Sequence, residues 1–169
     1  GNIWTYNRDK RVQEWCKKND IGLKENPSNG VVRNLSSRDD WSKIRNKRML
    51  EKIHPKPKFI NPISQNIHSK LPSKDNILFG EPLLGRVQRG GRINAIIDLK
   101  SFLNERSSEY LYHISAPGKS EKYCSRLSAH LAWGTLSVRE IVQSIKKRRL
   151  QLSVDDKKKY GRNLTAFNS

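Results

Sequence analysis

The spacing of apolar residues along the chain predicts several helices separated by polar or proline-rich stretches. Residues 6–19 place Val12, Trp15 and Cys16 on one side of a helix with charges elsewhere, and Asp20-Ile21-Gly22 turns the chain. Residues 23–26 read as one strand. A single helix–strand pair cannot bury both of its faces, so this part reads as the tail of an α/β domain that begins upstream. A second helix over 39–49 starts at a Ser36-Ser37 cap signal and sets Trp41 beside Ile44. From 53 to 73 the pattern breaks. Pro55, Pro57, Pro62 and Pro72 remove amide donors and block helix, which predicts an extended interdomain connection.

The best periodic segment follows Gly90-Gly91. Ile93, Ile96, Ile97, Leu99, Phe102 and Leu103 recur at helical spacing over 92–106 and cover more than half the circumference, which predicts burial on two sides. Ser137-Val138-Arg139-Glu140 has the form of a capping box, in which Ser137 bonds the Glu140 amide and Glu140 reaches back to Ser137. Val138, Ile141, Val142 and Ile145 then form a buried stripe, and the basic residues 146–149 oppose the C-terminal helix dipole. A last helix begins near Val154, with Tyr160, Leu164 and Phe167 at i, i+4 and i+7. The fold class is mainly α, and no internal repeat is visible.

Composition narrows this picture. Apolar residues make up 34% of the 169 residues, below the ~45–50% of an ordinary globular domain, a figure that also counts Gly. The shortfall fits a long solvated linker, or a core completed by further chain. Lys and Arg number 34 against 16 Asp and Glu, a formal net charge of +18. Such an excess concentrates polyanions, and nucleic acid is the usual partner. The plainer alternative is a solvated surface whose counter-charges sit elsewhere in a longer protein. The chain opens on Gly1-Asn2-Ile3-Trp4-Thr5-Tyr6, and its one methionine is Met49, which reads like the middle of a protein. No apolar run approaches the ~18 residues of a membrane span, and no signal peptide is visible. Cys16 and Cys124 stand far apart, which indicates neither a disulfide framework nor a zinc site. A reducing, cytoplasmic location is the default.

Candidate chemistry gathers at 124–128. Ser125 and Ser128 flank Arg126 just before an apolar helical pattern in which Leu127 and Leu131 are i and i+4. Hydroxyls at a helix start, free first-turn amides and a nearby guanidinium suit a phosphate or pyrophosphate. The same residues also suit plain N-capping with Arg126 in solvent, and spacing alone favours that reading. His54 and His68 fall in the linker, and His113 and His130 flank the 124–128 segment without a second ligand at i+3 or i+4. No metal site follows, and no catalytic residue can be named from spacing. Trp133 reads as core packing. The runs 146–149 and 157–159 read as solvated helix ends, with nucleic acid the alternative.

The fifteen residues Ser125-Arg-Leu-Ser-Ala-His-Leu-Ala-Trp-Gly-Thr-Leu-Ser-Val-Arg139 resemble the photolyase/cryptochrome pattern (Thr or Cys)-Ser-Arg-Leu-Ser-Pro-x-Leu-Ala-x-Gly-x-Leu-Ser-x-Arg. Ala129 stands where Pro is usual, and Cys124 where many members have Thr. Elsewhere Gly90-Gly91 with Ala95, Leu99, Phe102, Leu103, Arg106 and Tyr110 is similar to the family's first helix of the FAD domain, and Ile114-Ser-Ala-Pro117 to its Met-Ser-Ser-Pro turn. Gly1-Asn-Ile-Trp-Thr-Tyr6 with Arg8-Asp-Lys-Arg-Val12 resembles the last part of the antenna domain, and Asn29-Gly-Val-Val-Arg33 and Arg38-Asp-Asp-Trp41 resemble the connection between domains.

The resemblance implies that 1–35 is the remnant of an α/β antenna domain, 36–80 an interdomain helix and Pro-rich linker, and 81–169 the first part of a helical FAD-binding domain. It implies FAD as cofactor, with contacts from Cys124, Ser125, Arg126, Leu127 and Ser128, and from a tyrosine, Tyr110 or Tyr112. It also implies, for the full-length parent, light-driven repair of pyrimidine dimers in DNA, with an antenna chromophore in the upstream domain. The alternatives are a cryptochrome-type photoreceptor without repair, and a basic nucleic-acid-binding helical module without cofactor. On the family reading this fragment alone is inactive and binds FAD weakly or not at all.

Overall fold

A computed structural model describes residues 3–26, 30–32, 35, 37–62 and 87–168. The Ser36 half of the cap signal, Pro72, His68 and part of the 29–33 segment lie outside the described residues. Every regular element among the described residues is helical, so the chain is mainly α. Contacts divide it into two compact units, 1–45 and 46–169.

In the first unit, helix α1 (Ile3–Lys18) buries Cys16 alone; Val12 and Trp15, on the side expected to be apolar, stay 44% and 58% exposed. It ends where the sequence predicted a turn. Ile21 N–H donates to Cys16 O at 2.9 Å and Asp20 N–H to Lys17 O at 3.4 Å, with Asp20 left-handed at φ 54°. This is a Schellman closure, and an Asp tolerates the conformation that Gly usually fills. The strand expected over 23–26 is not formed: these residues are exposed and have no sheet partner among the described residues. Ahead of α2 (Trp41–Leu50), Ser37 Oγ accepts the Asp39 N–H at 3.1 Å, and Trp41 Nε1 donates to Gly30 O at 2.8 Å.

The second unit carries the main core. Its elements are α3 (Arg92–Asn104), α4 (Tyr110–His113), α5 (Ser120–Tyr123), α6 (Ser128–Ala132), α7 (Val138–Leu150), α8 (Val154–Asp156) and α9 (Arg162–Asn168). A π turn, Lys157–Gly161, joins the last two. Leu99, Phe102 and Leu103 of α3 meet Ile141 and Ile145 of α7, and Tyr160 and Leu164 close the cluster. Both helical patterns at the C-terminal end are thus met in register. α3 differs from its expectation: Ile93 and Ile97 are 78% and 57% exposed, so it buries one side and not two. The packed partners lie on the Ala95–Leu99–Phe102 stripe, and i+4 neighbours Ile93 and Ile97 fall off it.

The capping box is present. Ser137 Oγ accepts the Glu140 N–H at 3.2 Å, and Glu140 Oε2 accepts the Ser137 N–H at 2.9 Å. The other Glu140 oxygen takes the Arg92 guanidinium, which also donates to Thr135 O at 3.1 Å. One carboxylate therefore fastens the start of α7 to the start of α3. The bond to Arg92 brings the Glu140 carboxyl down to about 2; burial opposes this, and the Ser137 amide and hydroxyl add to it. Farther along α7, Arg139 Nε donates to Arg48 O at 3.0 Å, and Gln143 Nε2 to Met49 O at 2.9 Å and Glu51 O at 2.8 Å. These bonds satisfy carbonyls that the end of α2 leaves open. Buried Asn163 does the same for the turn before α4. It donates to Ser108 O at 2.8 Å and Lys159 O at 3.1 Å, and accepts the Leu111 N–H at 2.9 Å.

Candidate functional site

Between α5 and α6 the chain makes a tight loop at 124–128, anchored by Leu127, which is 1% exposed in the core. Cys124 is extended (φ −85°, ψ 165°), Arg126 is left-handed at φ 59°, and Leu127 returns to the helical region. A non-glycine residue at positive φ costs about 1 kcal/mol, so surrounding contacts must hold it.

Those contacts come chiefly from Arg106. Its guanidinium donates to Cys124 O, to Ser125 O at 3.2 Å, to Asp98 O at 2.8 Å and to Ser101 Oγ at 3.1 Å. Burial pulls the pKa of Arg106 down and nearby Arg126 acts with it, while Asp98, Cys124 and Glu105 oppose. Gln88 Nε2 takes the next carbonyl, Arg126 O, at 2.7 Å. Consecutive carbonyls 124, 125 and 126 are thus all held from the protein side. In a planar trans peptide the N–H points away from its C=O, so the amides of 125, 126 and 127 turn to the other side. The Ser125 and Arg126 N–H groups have no partner among the described residues, and that of Leu127 has only Ser125 Oγ at 3.5 Å.

The side chains divide. Ser125 is half-buried and Ser128 exposed. Neither caps α6, whose N-cap position is Leu127 and has no side-chain bond. Arg126 Nη1 pairs with Glu121 Oε1 at 2.9 Å, an ion pair open to solvent on the Glu121 side. Cys124 Sγ faces His113 O at 3.9 Å. Tyr110 lies edge-on to Phe102 and Phe167, with centroids 5.6 and 5.3 Å away. Burial, with Cys124 adding, pushes its phenol up. Tyr112 is 81% exposed. Of the two candidate tyrosines, Tyr110 is the one electrostatically coupled to the loop.

Behind the loop sits a polar knot that the sequence did not announce. His130, 2% exposed, has Nδ1 3.1 Å from Thr135 Oγ1 and Nε2 3.1 Å from Asp98 Oδ2. Gln88 Nε2 donates to Asp98 Oδ2 at 2.6 Å and lies 3.1 Å from His130 Nε2. Burial raises the Asp98 pKa, but the bonds from Gln88 and His130 and the charge of Arg106 outweigh it and leave it lowered. These partners lie 32 and 42 residues apart from His130, and nothing in local spacing signals them.

Next to this knot a cleft of ≈ 420 Å³ is lined by residues 88–91 and by Ala129, His130, Trp133 and Thr135. Trp133, expected in the core, is 85% exposed. It is the C-cap of five-residue α6, beyond the last turn that the core covers. Gly134 follows at φ 66° and closes that helix as a Schellman turn, with Thr135 N–H donating to His130 O at 2.9 Å. A side chain at Gly134 would strain this reversal.

The basic runs are mostly solvated. Lys146, Lys147 and Arg149 are exposed, whereas Arg148 turns inward to Leu103 O at 3.4 Å and lies over the Tyr160 ring. Among the described residues no group of three or more His, Cys, Asp or Glu side chains could hold a metal ion, and Cys16 and Cys124 are free thiols. No described helix is long and apolar enough to cross a membrane. Compared with known protein families, with curated proteins and with solved structures, the chain matches none.

Proposed function

We propose that this chain is part of a FAD-binding protein of the photolyase/cryptochrome type, in which the 124–128 loop grips the flavin's pyrophosphate. The observation that carries the reading is the pair of amides at 125 and 126, which have no partner among the described residues while Arg106 and Gln88 hold the carbonyls of 124–126. Two adjacent unpartnered N–H groups, Ser125 and Arg126, beside a hydroxyl favour an anion. Ser125 and Ser128 add hydroxyl donors, and of the candidate tyrosines Tyr110 is the one whose phenol Cys124 affects. Cys124 brings no hydroxyl where many family members carry Thr. Arg126 contributes charge while its guanidinium stays tied to Glu121.

What the flavin would supply, by resemblance, is light-driven electron transfer to a pyrimidine dimer extruded from duplex DNA, or a light signal in a receptor. By the same resemblance, the residues of this chain would hold and orient the flavin. A second reading, a basic nucleic-acid-binding module without cofactor, is favoured by the net charge of +18.

Titrating FAD into the ¹⁵N-labelled chain tests the first reading. The expected result is weak binding whose largest amide shifts fall at 125–128 and vanish in Ser125→Ala/Ser128→Ala. Shifts confined to other residues, or none at millimolar FAD, would sink it.

A further inference from the structure

We propose that the cleft beside α3 binds a nucleotide unit, with its planar base stacked on Trp133 and its phosphate on Arg89. The site is separate from the 124–128 loop and does not rest on the flavin reading. Four observations carry it. The cleft's ≈ 420 Å³ falls within the ~300–1,000 Å³ of small-molecule sites. Trp133, which lines the cleft, leaves 85% of its surface uncovered, whereas Leu127 and His130 of the same segment are buried. A free indole face is a sequence-tolerant platform for a base.

The third observation is the bare backbone on the other lining segment. A Cβ built at Gly90 or Gly91 would meet nothing within 4 Å, and Gly91 sits at φ +91°, where a side chain is strained. A flat ring can therefore approach the main chain closely. The fourth is charge. Arg89 is exposed and has no hydrogen bond or ion pair among the described residues. Among the described residues no carboxylate lines the cleft. Asp98 lies behind it with Gln88 and His130 as partners, and Glu140 is taken by Arg92. A cation with no partner among the described residues, in a chain of net charge +18, selects a phosphate-bearing ring over a neutral aromatic one.

Two sources offer this chemistry, a free nucleotide and a nucleotide within a single strand, and one experiment separates them. Adenosine 5′-monophosphate, adenosine and a fluorescein-labelled ten-residue oligothymidylate are titrated into the full chain at low salt. Wild type, Trp133→Ala, Trp133→Phe and Arg89→Ala are compared, with circular dichroism confirming that each variant keeps its helix content. The proposal expects Trp133→Ala to weaken binding about tenfold or more and Trp133→Phe to retain most of it. Arg89→Ala should weaken binding and flatten its salt dependence. Adenosine should bind less well than its monophosphate. Trp133-dependent binding of the mononucleotide alone supports a free nucleotide, and of the oligonucleotide a strand. Absence of binding by both phosphate probes overturns the proposal. So does binding that Trp133→Ala leaves unchanged, which would assign it to the general surface charge.

Discussion

The 124–128 loop and the Trp133 cleft are two sides of one short stretch of chain, and they are built in opposite ways. The loop presents main-chain amides and owes its shape to distant side chains, Arg106 and Gln88, that hold its carbonyls. The cleft presents side chains, an indole and a guanidinium, on a segment whose backbone closes locally through Gly134. Removing one residue should therefore collapse the first site and leave the frame of the second intact. Main-chain recognition depends on long-range support; side-chain recognition at a surface does not.

The largest expected effect breaks that comparison at the loop's anchor. Leu127 is 1% exposed within the core that joins α3, α7 and α9. Leu127→Ala should cost about 2–5 kcal/mol, as fully buried leucines do. Urea unfolding followed by circular dichroism measures it. A loss below 1 kcal/mol would mean that the loop is not seated on this core.

Arg106 is next. Arg106→Met keeps much of the aliphatic stem but leaves the carbonyls of Asp98, Cys124 and Ser125 without their donor. A cost of about 1–3 kcal/mol is expected, with amide chemical shifts at 124–127 changed far more than those in α7. Equal shift changes in both places would show that Arg106 supports the whole unit and not the loop in particular.

The link between the two helix starts should appear in acid. Glu140 titrates at about 2 in the folded state because of Arg92, against ~4.3 for a free glutamate. A depressed folded pKa stabilises above the unfolded value and the gain is lost as pH falls toward 2. Arg92 is 54% exposed, so solvent screening leaves about 1 kcal/mol. Stability measured from pH 6 to pH 2 should decline through this window, and Glu140→Gln should remove that part of the decline. An unchanged slope in the variant would assign the acid sensitivity to other groups.

Much of the helical frame was legible in the sequence because it rests on local physics. The Ser137–Glu140 box and the Ile141, Val142, Ile145 stripe follow from spacings of three and four residues, and the structure repeats them. The Tyr160, Leu164, Phe167 pattern held even across a π turn. What was not legible depends on where partners come from. The apolar side of α3 at Ile93 and Ile97 looks buried by periodicity alone, yet no packed helix reaches it. The strand expected over 23–26 has no neighbouring strand among the described residues, and Lys24, Glu25 and Asn26 are poor strand formers. In the site, Ser125, Arg126 and Ser128 stood out from the motif, whereas the roles of Arg106, Gln88 and the His130–Asp98 pair did not. The contacts that join residues 88–106 to 124–130 span separations of 18 to 42 residues and leave no local trace.

The smallest expected effect is the sharpest contrast with Leu127. Trp133 reads as a core residue by type and helical position, and the structure leaves it 85% exposed. If the cleft is open in solution, Trp133→Ala should change stability by less than ~0.5 kcal/mol, the usual range for a surface substitution. In the wild-type protein the Trp133 indole resonance should also shift on adding the mononucleotide. A loss above ~2 kcal/mol would mean that the indole is packed after all, because truncating a buried tryptophan costs ~3–5 kcal/mol. The cleft would then be filled by the protein itself, leaving the nucleotide no ring to stack on.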